Sequence, residues 1–150
     1  MKQILIINSV PSNGGDEALL FATILGLKEI YKSINVVVLC NDPGSAKKID
    51  PNINFDWDLE YCSQKDNKLD KYKKKVYKRI NGIFHKVPFH IKYFLLSNNE
   101  KRVIRYFIQA DYIISSAGGY LNDNYGYSKR LTTLNFALDL NKKLILFGQS

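Results

Sequence analysis

Short apolar runs recur along the chain and alternate with segments of helical character. The first run, Ile4–Ile7, has no polar member, which is typical of a strand buried on both faces. Further strands are predicted at Val36–Cys40, Tyr112–Ser115 and Leu144–Phe147, and a weaker one at Ile53–Trp57. Because buried strands alternate with helices, the pattern predicts an α/β fold with an open, mainly parallel, doubly wound sheet of about five strands.

Helices are predicted in the gaps between these strands. Ala18–Leu27 is almost continuously apolar or small, and we expect this helix to begin at Asp16 and to fade near residues 32–33. A later helix is expected to be capped by Asn98 or Asn99, and another to cover Lys129–Leu140. The predicted inner faces hold Val103, Ile104, Phe107 and Ile108 in the former, and Leu131, Leu134 and Leu138 in the latter.

The segment Asn8–Gly15 joins the first strand to the first helix, and its Asn, Ser, Pro and Gly content predicts a loop. Ligands of doubly wound domains bind at the carboxyl ends of the strands, where this loop is expected. A helix N-terminus attracts phosphate, but Asp16 and Glu17 occupy that end and repel it. Since the glycine motifs of nucleotide sites are also absent, we expect the loop to bind sugar hydroxyls. Tight turning by Gly14 and Gly15 and helix capping by Asp16 are the structural alternatives.

A second loop of similar composition follows the predicted strand Tyr112–Ser115. Gly118 and Gly119 would let backbone N–H groups face a ligand there, and Asp123 follows as a carboxylate. Two loops that combine glycine with an acid, both at strand ends of one sheet, are more specific than either alone. We therefore predict that they lie at the same edge and share a ligand, with two tight turns and capping acids as the alternative.

The composition indicates one globular domain, since the 150 residues are 45% hydrophobic. No apolar run approaches the length of a membrane span, and the first is too short for a signal peptide, so a cytoplasmic location is expected. Cys40 and Cys62 lack metal-like spacing and are expected to be reduced thiols. His85 and His90 lie in a basic, aromatic segment and are better explained by packing or exposure than by metal binding. We expect neither a metal nor an organic cofactor.

Positive charge is concentrated in one segment. The chain carries a net charge of +8, and the 13 Lys or Arg residues against 3 acids within residues 65–105 give +10, which leaves −2 for the remainder. The spacing predicts a basic helical insertion at about residues 65–105. Its lysines alternate with Tyr72 and Tyr77, as on a nucleic-acid surface. However, the segment is amphipathic and contains no nucleic-acid motif, so an anionic membrane surface is the favoured partner and nucleic acid is the less favoured one.

Three motifs carry a family resemblance. Asn13–Ala18 resembles the N-terminal NxGDEA signature of the polysaccharide pyruvyl transferases. Residues 110–123 resemble that family's strand, GGG-type loop and Asp, with Ala117 in place of the first glycine. Residues 147–150 resemble its GQS motif. The motifs occur in the family's order, whereas residues 57–105 match poorly.

The resemblance implies a two-domain fold similar to that of the GT-B glycosyltransferases, with residues 1–150 as the N-terminal, Rossmann-like domain. It implies transfer of the enolpyruvyl unit of phosphoenolpyruvate to two hydroxyls of a sugar, as a cyclic ketal. The acceptor would belong to a cell-surface polysaccharide or its lipid-linked precursor, which allows a location at the inner face of the membrane. The phosphate-binding residues of the family lie mostly in the second domain, so we expect this chain alone to be inactive and prone to self-association as a homo-oligomer.

Site residues follow from the resemblance and from the loops together. A carboxylate can accept the proton of an attacking hydroxyl, and Asp123 or Asp16 is the candidate base. Asn13 and Asn122 are expected to bind hydroxyls, and the remaining substrate-binding candidates are Gly14, Gly15, Glu17, Gly118 and Gly119. A sugar-nucleotide glycosyltransferase of the same fold, or a non-catalytic basic domain that binds membranes or nucleic acid, are the alternatives.

Overall fold

The computed structural model describes residues 1–11, 13–59, 61–62, 96–116 and 128–148. Within these ranges the chain forms strands and helices in alternation. The strands are β1 (Lys2–Ser9), β2 (Ile34–Cys40), β3 (Asn54–Trp57), β4 (Tyr112–Ser115) and β5 (Lys143–Leu146). The helices are α1 (Gly14–Ile30), α2 (Pro43–Ile49), α3 (Asn98–Gln109) and α4 (Ser128–Asp139).

The five strands form one sheet in the order β3-β2-β1-β4-β5, and each neighbouring pair is parallel. The chain steps outward from β1 to β3 and then crosses back to place β4 on the other side of β1. Ligands of open α/β sheets bind beyond the carboxyl ends of the strands at such a reversal. The prediction of an open, parallel α/β sheet is confirmed.

β1 supplies the centre of the core because its side chains alternate between the two faces of the sheet. Ile4 and Ile6 pack with residues of α1 and α2, whereas Leu5 and Ile7 pack with residues of α3 and α4. All four side chains are at most 2% exposed. Full burial of such a side chain contributes about 1.5–3 kcal/mol, so β1 anchors both layers of helices.

The two cysteines lie in different parts of this core. Cys40 belongs to the cluster on the α1 and α2 face, and Cys62 to the cluster on the opposite face. Both are buried free thiols. Burial raises the pKa of the Cys40 thiol to about 12, so this residue stays protonated and unreactive near neutral pH.

The starts of two helices differ from the predicted ones. α1 begins at Gly14, two residues before the predicted start at Asp16, because the glycine pair joins the first helical turn. α3 is capped by Ser97 and not by either asparagine that follows it. Ser97 Oγ accepts a hydrogen bond of 3.2 Å from the Glu100 N–H, and the Glu100 carboxylate accepts one of 2.9 Å from the Ser97 N–H. This capping box satisfies two N–H groups that would otherwise lack helical partners.

The last residues of the predicted basic insertion at residues 65–105 coincide with the first two turns of α3. Val103, Ile104 and Phe107 are buried as predicted, but Ile108 is 46% exposed, so its assignment to the inner face is wrong. Residues 98–105 therefore belong to the helix that crosses from β3 to β4. Residues 63–95 lie outside the described part of the chain, where the insertion stays a prediction.

The inner face of α4 is rotated from the predicted one. Leu134 is buried, but Leu131 and Leu138 are 38% and 54% exposed, so both predictions of an inward position are wrong. The buried neighbours of Leu134 are Thr133 and Ala137. Small side chains at a contact let a helix approach closely, and α4 turns these residues, instead of the outer leucines, toward the sheet.

The edge strand β5 leaves apolar side chains exposed. Ile145 is 43% exposed, Leu146 54% and the following Phe147 48%. The predicted self-association remains a prediction, for which this surface is the natural candidate. Within the described ranges, no helix combines the length and the apolar character that crossing a bilayer requires.

Candidate functional site at the carboxyl edge of the sheet

The carboxyl end of β1 departs from regular strand geometry. Its register with β2 shifts between Ile6 and Ser9, and Asn8 in this interval has a φ of 60°. Side chains other than glycine rarely adopt such left-handed backbone angles, although Asn does so more readily than most. Local strain of this kind is concentrated at functional sites. The strand was predicted to end at Ile7, and it continues instead through Asn8 to Ser9.

Polar side chains join the ends of β1 and β4. The amide Nδ2 of Asn8 donates a buried hydrogen bond of 3.1 Å to Ser115 Oγ. Beside it, the Ser116 N–H donates to the Ile7 carbonyl at 2.9 Å. Asn8, Ser115 and Ser116 are each at most 2% exposed. The two central strands therefore end in a buried polar layer and not in apolar packing.

Some atoms of this layer have no partner. In the described part of the chain, three buried side-chain oxygens lack a hydrogen bond, and they are Asn8 Oδ1, Ser9 Oγ and Asn41 Oδ1. Ser9 is the register partner of Cys40, so Asn41 directly follows the position opposite it. All three oxygens thus lie at the carboxyl ends of the adjacent strands β1 and β2. A buried polar group left unpaired costs about 1–3 kcal/mol, which makes their grouping at one edge informative.

The first turn of α1 lies near the same edge. The connection from β1 to α1 has four residues, which span at most about 14 Å, and a hydrogen bond of 3.2 Å from the Asn13 N–H to the Val10 carbonyl folds it into a turn. Asn13 is the N-cap, but its side chain does not bond to the helix backbone. Its Nδ2 donates instead to Asp16 Oδ2 at 2.8 Å. Asp16 therefore holds the side chain of Asn13, and the proposed capping role of Asp16 is wrong.

The two glycines of this turn are not explained by local packing. Gly14 and Gly15 are helical and exposed, and neither has a positive φ. A Cβ built on either glycine meets no atom within 4 Å. Their interpretation as residues needed for a tight turn or close helix packing is therefore wrong. The explanation that we retain is exposure of the backbone. Because these two positions have no side chains, the backbone of the first turn of α1 is open to an approaching molecule.

The predicted residues of the second loop, which are Gly118, Gly119, Asn122 and Asp123, lie outside the described residues. That they share a ligand with the first loop stays a prediction. The structure does place the end of β4 directly beside β1, with Ser115 opposite Ile7. The chain therefore enters the second loop from the edge where Asn8 and Ser9 lie.

The chemistry of the described groups favours a ligand that donates hydrogen bonds. The unpaired amide oxygens of Asn8 and Asn41 only accept, and so do the ionised carboxylates of Asp16 and Glu17. The hydroxyl of Ser9 both donates and accepts. A sugar supplies many O–H donors, whereas a fully ionised phosphate ester or a carboxylate supplies none. The edge is thus suited to a neutral polyhydroxyl molecule.

Another polar cluster lies at β3 and has a different character. The carboxylate of Asp56 accepts hydrogen bonds of 2.7 and 3.0 Å from Arg102 and one of 3.1 Å from the Tyr106 hydroxyl. Burial alone would raise the pKa of Asp56, but the hydrogen bonds, above all from Arg102, lower it below its ordinary value. These side chains flank a cavity of about 500 Å³ between α2, β3 and α3. Because the cluster is paired within the protein, we interpret it as structural.

Reasoning from the sequence missed the buried residues of the site. Asn8 and Ser9 were assigned to a loop and Ser115 to the end of a strand, and Asn41 was not among the candidate site residues. A detectable signal was present, because Asn8 and Ser9 are polar residues that end an apolar run. Which polar atoms stay unpaired depends on the register of β1 with β2 and β4, and the local sequence does not contain that information.

Comparison with known proteins identifies a family for the chain. No curated protein and no solved structure matches the chain significantly. A family model described as polysaccharide pyruvyl transferase matches residues 13–150. The match begins at the N-cap of α1, includes its acidic first turn, and extends through all later elements of the sheet. The chain belongs to the polysaccharide pyruvyl transferase family.

Proposed function

We propose that the protein transfers the enolpyruvyl unit of phosphoenolpyruvate to a sugar of a cell-surface polysaccharide or of its lipid-linked precursor. Two sugar hydroxyl oxygens bond to C2 of the donor, and the bond from C2 to the phosphate oxygen breaks. One hydroxyl proton ends on the methylene carbon, which becomes a methyl group, and the other leaves with phosphate. The product is a cyclic pyruvate ketal. Membership of the family supports the reaction class.

The observation that carries the sugar part of this proposal is the group of unpaired oxygens at the carboxyl edge. They require donors, which sugar hydroxyls supply. We place the acceptor sugar there, with Asn13 and Asn122 holding hydroxyls and Asp123 or Asp16 accepting the proton of the attacking hydroxyl. The surrounding backbone would come from Gly14, Gly15 and Glu17 of the first turn and from Gly118 and Gly119 of the second loop.

The donor requires a different environment. Asp16 and Glu17 in the first turn of α1 repel an anionic molecule. We therefore assign the phosphate of the donor to basic residues of a second domain, in a two-domain arrangement similar to that of the GT-B glycosyltransferases. The sugar and the donor would then meet between the domains, where ligand sites are frequently found.

The decisive experiment compares two donors. The natural protein is incubated with galactosides and mannosamine derivatives, together with either phosphoenolpyruvate or a panel of nucleotide sugars. We expect acceptor-dependent release of phosphate from phosphoenolpyruvate and a product with the mass of a pyruvate ketal. Transfer from a nucleotide sugar, without a ketal, would instead identify the protein as a glycosyltransferase.

A lipid-linked acceptor would bring the reaction to the inner face of the membrane. We propose that the basic residues within 65–105 contact anionic lipid there, by charge and by an apolar face together. A cosedimentation assay tests this, with anionic vesicles and duplex DNA offered at equal charge concentration. Tighter binding to DNA would contradict the lipid assignment, and loss of vesicle binding at moderate salt would show that charge acts alone, without the apolar face.

A further inference from the structure

The end of β1 contains two polar side chains that the fold does not use fully. Asn8 and Ser9 are each 1% exposed, and in the described residues Asn8 Oδ1 and Ser9 Oγ have no hydrogen-bond partner. Both precede the residues that match the family model, which begin at residue 13. Neither was among the residues that the sequence motifs single out. Their presence in the core therefore needs an explanation of its own.

A purely structural role does not explain Asn8. Its φ of 60° would be adopted without strain by glycine. Its one hydrogen bond, to Ser115 Oγ, uses the amide nitrogen and leaves the oxygen unpaired. A buried unpaired oxygen destabilises the fold. The side chain thus costs stability twice, through its backbone angles and through its oxygen.

Asn141 provides an internal comparison. It has the second positive φ among the described residues that are not glycine, at 52°. Asn141 is exposed, and it lies in the turn after α4, where its N–H donates to the Leu138 carbonyl at 2.8 Å. There the left-handed Asn serves the turn, and its side chain remains in water. The same residue type in the same backbone region is thus buried and unsatisfied only at the carboxyl edge.

We propose that Asn8 and Ser9 form the floor of the sugar site, where Asn8 Oδ1 accepts a hydrogen bond from one ligand hydroxyl and Ser9 Oγ bonds to a neighbouring one. The inference deepens the proposed function and rests on it in taking the ligand to be a sugar. The Asn8 amide is fixed in direction by Ser115, so its oxygen is preoriented. Because Asn8 Oδ1 is already oriented and has no described protein partner, a hydrogen bond from a ligand hydroxyl adds to the affinity without breaking a bond within the protein.

Access to this floor requires a local movement. Because both side chains are buried, a ligand hydroxyl reaches them only when a neighbouring segment shifts. Val10 directly follows Ser9, and its carbonyl accepts a hydrogen bond of 3.2 Å from the Asn13 N–H, which links the floor to the first turn of α1.

The test compares Asn8→Gly with Asn141→Gly in the natural protein. Both replacements keep the left-handed backbone angles available, and only the first removes the buried amide. The probes are methyl β-galactoside and N-acetylmannosamine, and the readouts are sugar affinity by calorimetry and the side-chain amide signals in ¹⁵N NMR spectra. We expect the sugar that binds to shift the Asn8 amide signal, and Asn8→Gly to weaken its binding by about tenfold, as the loss of one good hydrogen bond predicts. Asn141→Gly should bind as the wild type does.

Ser9→Ala is a second test that does not depend on whether Asn8→Gly folds normally. It removes one unpaired oxygen with almost no change of shape, so its urea midpoint should equal or exceed that of the wild type while sugar affinity falls. Unchanged sugar affinity in both Asn8→Gly and Ser9→Ala would overturn the inference. So would a bound sugar that leaves the Asn8 amide signal in place.

The inference and the proposed function fail separately. Sugar binding that depends on Asn8, without formation of a ketal from phosphoenolpyruvate, would support the sugar floor and refute pyruvyl transfer. Ketal formation at an undiminished rate and affinity in both variants would support pyruvyl transfer and refute the floor. A shift of the Asn8 amide by inorganic phosphate, and not by either sugar, would also refute it.

Discussion

The two edges of the sheet treat their polar residues differently. At the amino edge, the Asp111 carboxylate accepts from the Gln3 N–H at 2.8 Å, and the Asp111 N–H donates to the Gln3 carbonyl at 2.8 Å. The Asn35 amide completes this network with a bond of 2.6 Å to Gln3 Oε1. At the carboxyl edge, Asn8 and Ser9 hold oxygens without a described partner. Polar side chains near the start of β1 are thus hydrogen-bonded to neighbouring residues, whereas two side chains at its end keep oxygens without a described partner.

The N-termini of two helices repeat this difference. α3 begins with the capping box of Ser97 and Glu100, which satisfies the helix backbone. α1 begins with Asn13, whose side chain turns to Asp16 and caps nothing. The capping box of α3 thus satisfies backbone N–H groups of its helix, whereas the Asn13 side chain bonds to Asp16 and not to the helix backbone, and Asn8 and Ser9 at the end of β1 keep oxygens without a described partner. This difference supports the proposed ligand-binding edge on grounds other than the family match.

The largest expected effect is on turnover. Replacement of the proposed general base, Asp123 or Asp16, by Asn should lower turnover by roughly 10²–10⁴ with little loss of stability, because proton removal from the sugar hydroxyl would be lost. Asp111→Asn at the amino edge is the matched control and should turn over normally. Initial rates of phosphate release measure all three variants. Near-normal rates in both Asp16→Asn and Asp123→Asn, or an equal loss in Asp111→Asn, would remove the functional distinction between the edges.

An intermediate effect is expected on helix capping. Ser97→Ala should lower the free energy of unfolding by about 1 kcal/mol, in the range that loss of an N-cap usually costs. Asn13→Ala should cost clearly less, since its side chain makes no bond to the α1 backbone. Urea unfolding followed by circular dichroism gives both values. An equal loss of unfolding free energy in both variants would show that the Asn13 side chain stabilises α1, which would contradict its assignment to ligand binding.

The smallest expected effect separates two glycines of α1. A Cβ on Gly15 or on Gly26 meets no atom within 4 Å, so replacing either by Ala should raise the free energy of unfolding by about 0.4–1 kcal/mol. Only Gly15→Ala should weaken sugar binding, because its methyl group would occupy the approach to the first turn. Urea unfolding and calorimetry on both variants check this. Normal sugar binding by Gly15→Ala would contradict the assignment of Gly15 to the ligand approach.

The fold was largely predictable because apolar runs report burial directly. Ile4–Ile7 lies in a strand that is central and buried on both faces, and such runs have few alternatives. Helix faces were harder to predict, since α4 buries Thr133 and Ala137 in preference to the larger Leu131 and Leu138. Hydrophobicity predicts which side chains favour burial. Which of them a helix buries against a sheet also depends on their size and position, because the interface is closely packed.

The site was predictable only in part. The glycine and acid pattern drew attention to the start of α1, but the structural roles considered for Gly14 and Asp16, tight turning and helix capping, were wrong. Asn8 and Ser9 were missed because their importance lies in missing partners, which depend on strands far away in sequence. A motif records which residues are near one another along the chain, and a hydrogen-bond inventory needs the register of the whole sheet.

The position of β1 has a consequence for the timing of folding. Among the described strands β1 leaves the ribosome before the others, but its neighbour β4 follows much later, and the bond from Asn8 to Ser115 spans 107 positions. At about 5–20 residues per second of synthesis, β1 waits roughly 5–20 s for that neighbour. One side of the central strand is an open edge during this interval. Contacts of such sequence separation slow folding. The polar layer at the ends of β1 and β4 is therefore completed late, when the three strands β1, β2 and β3 can already have paired.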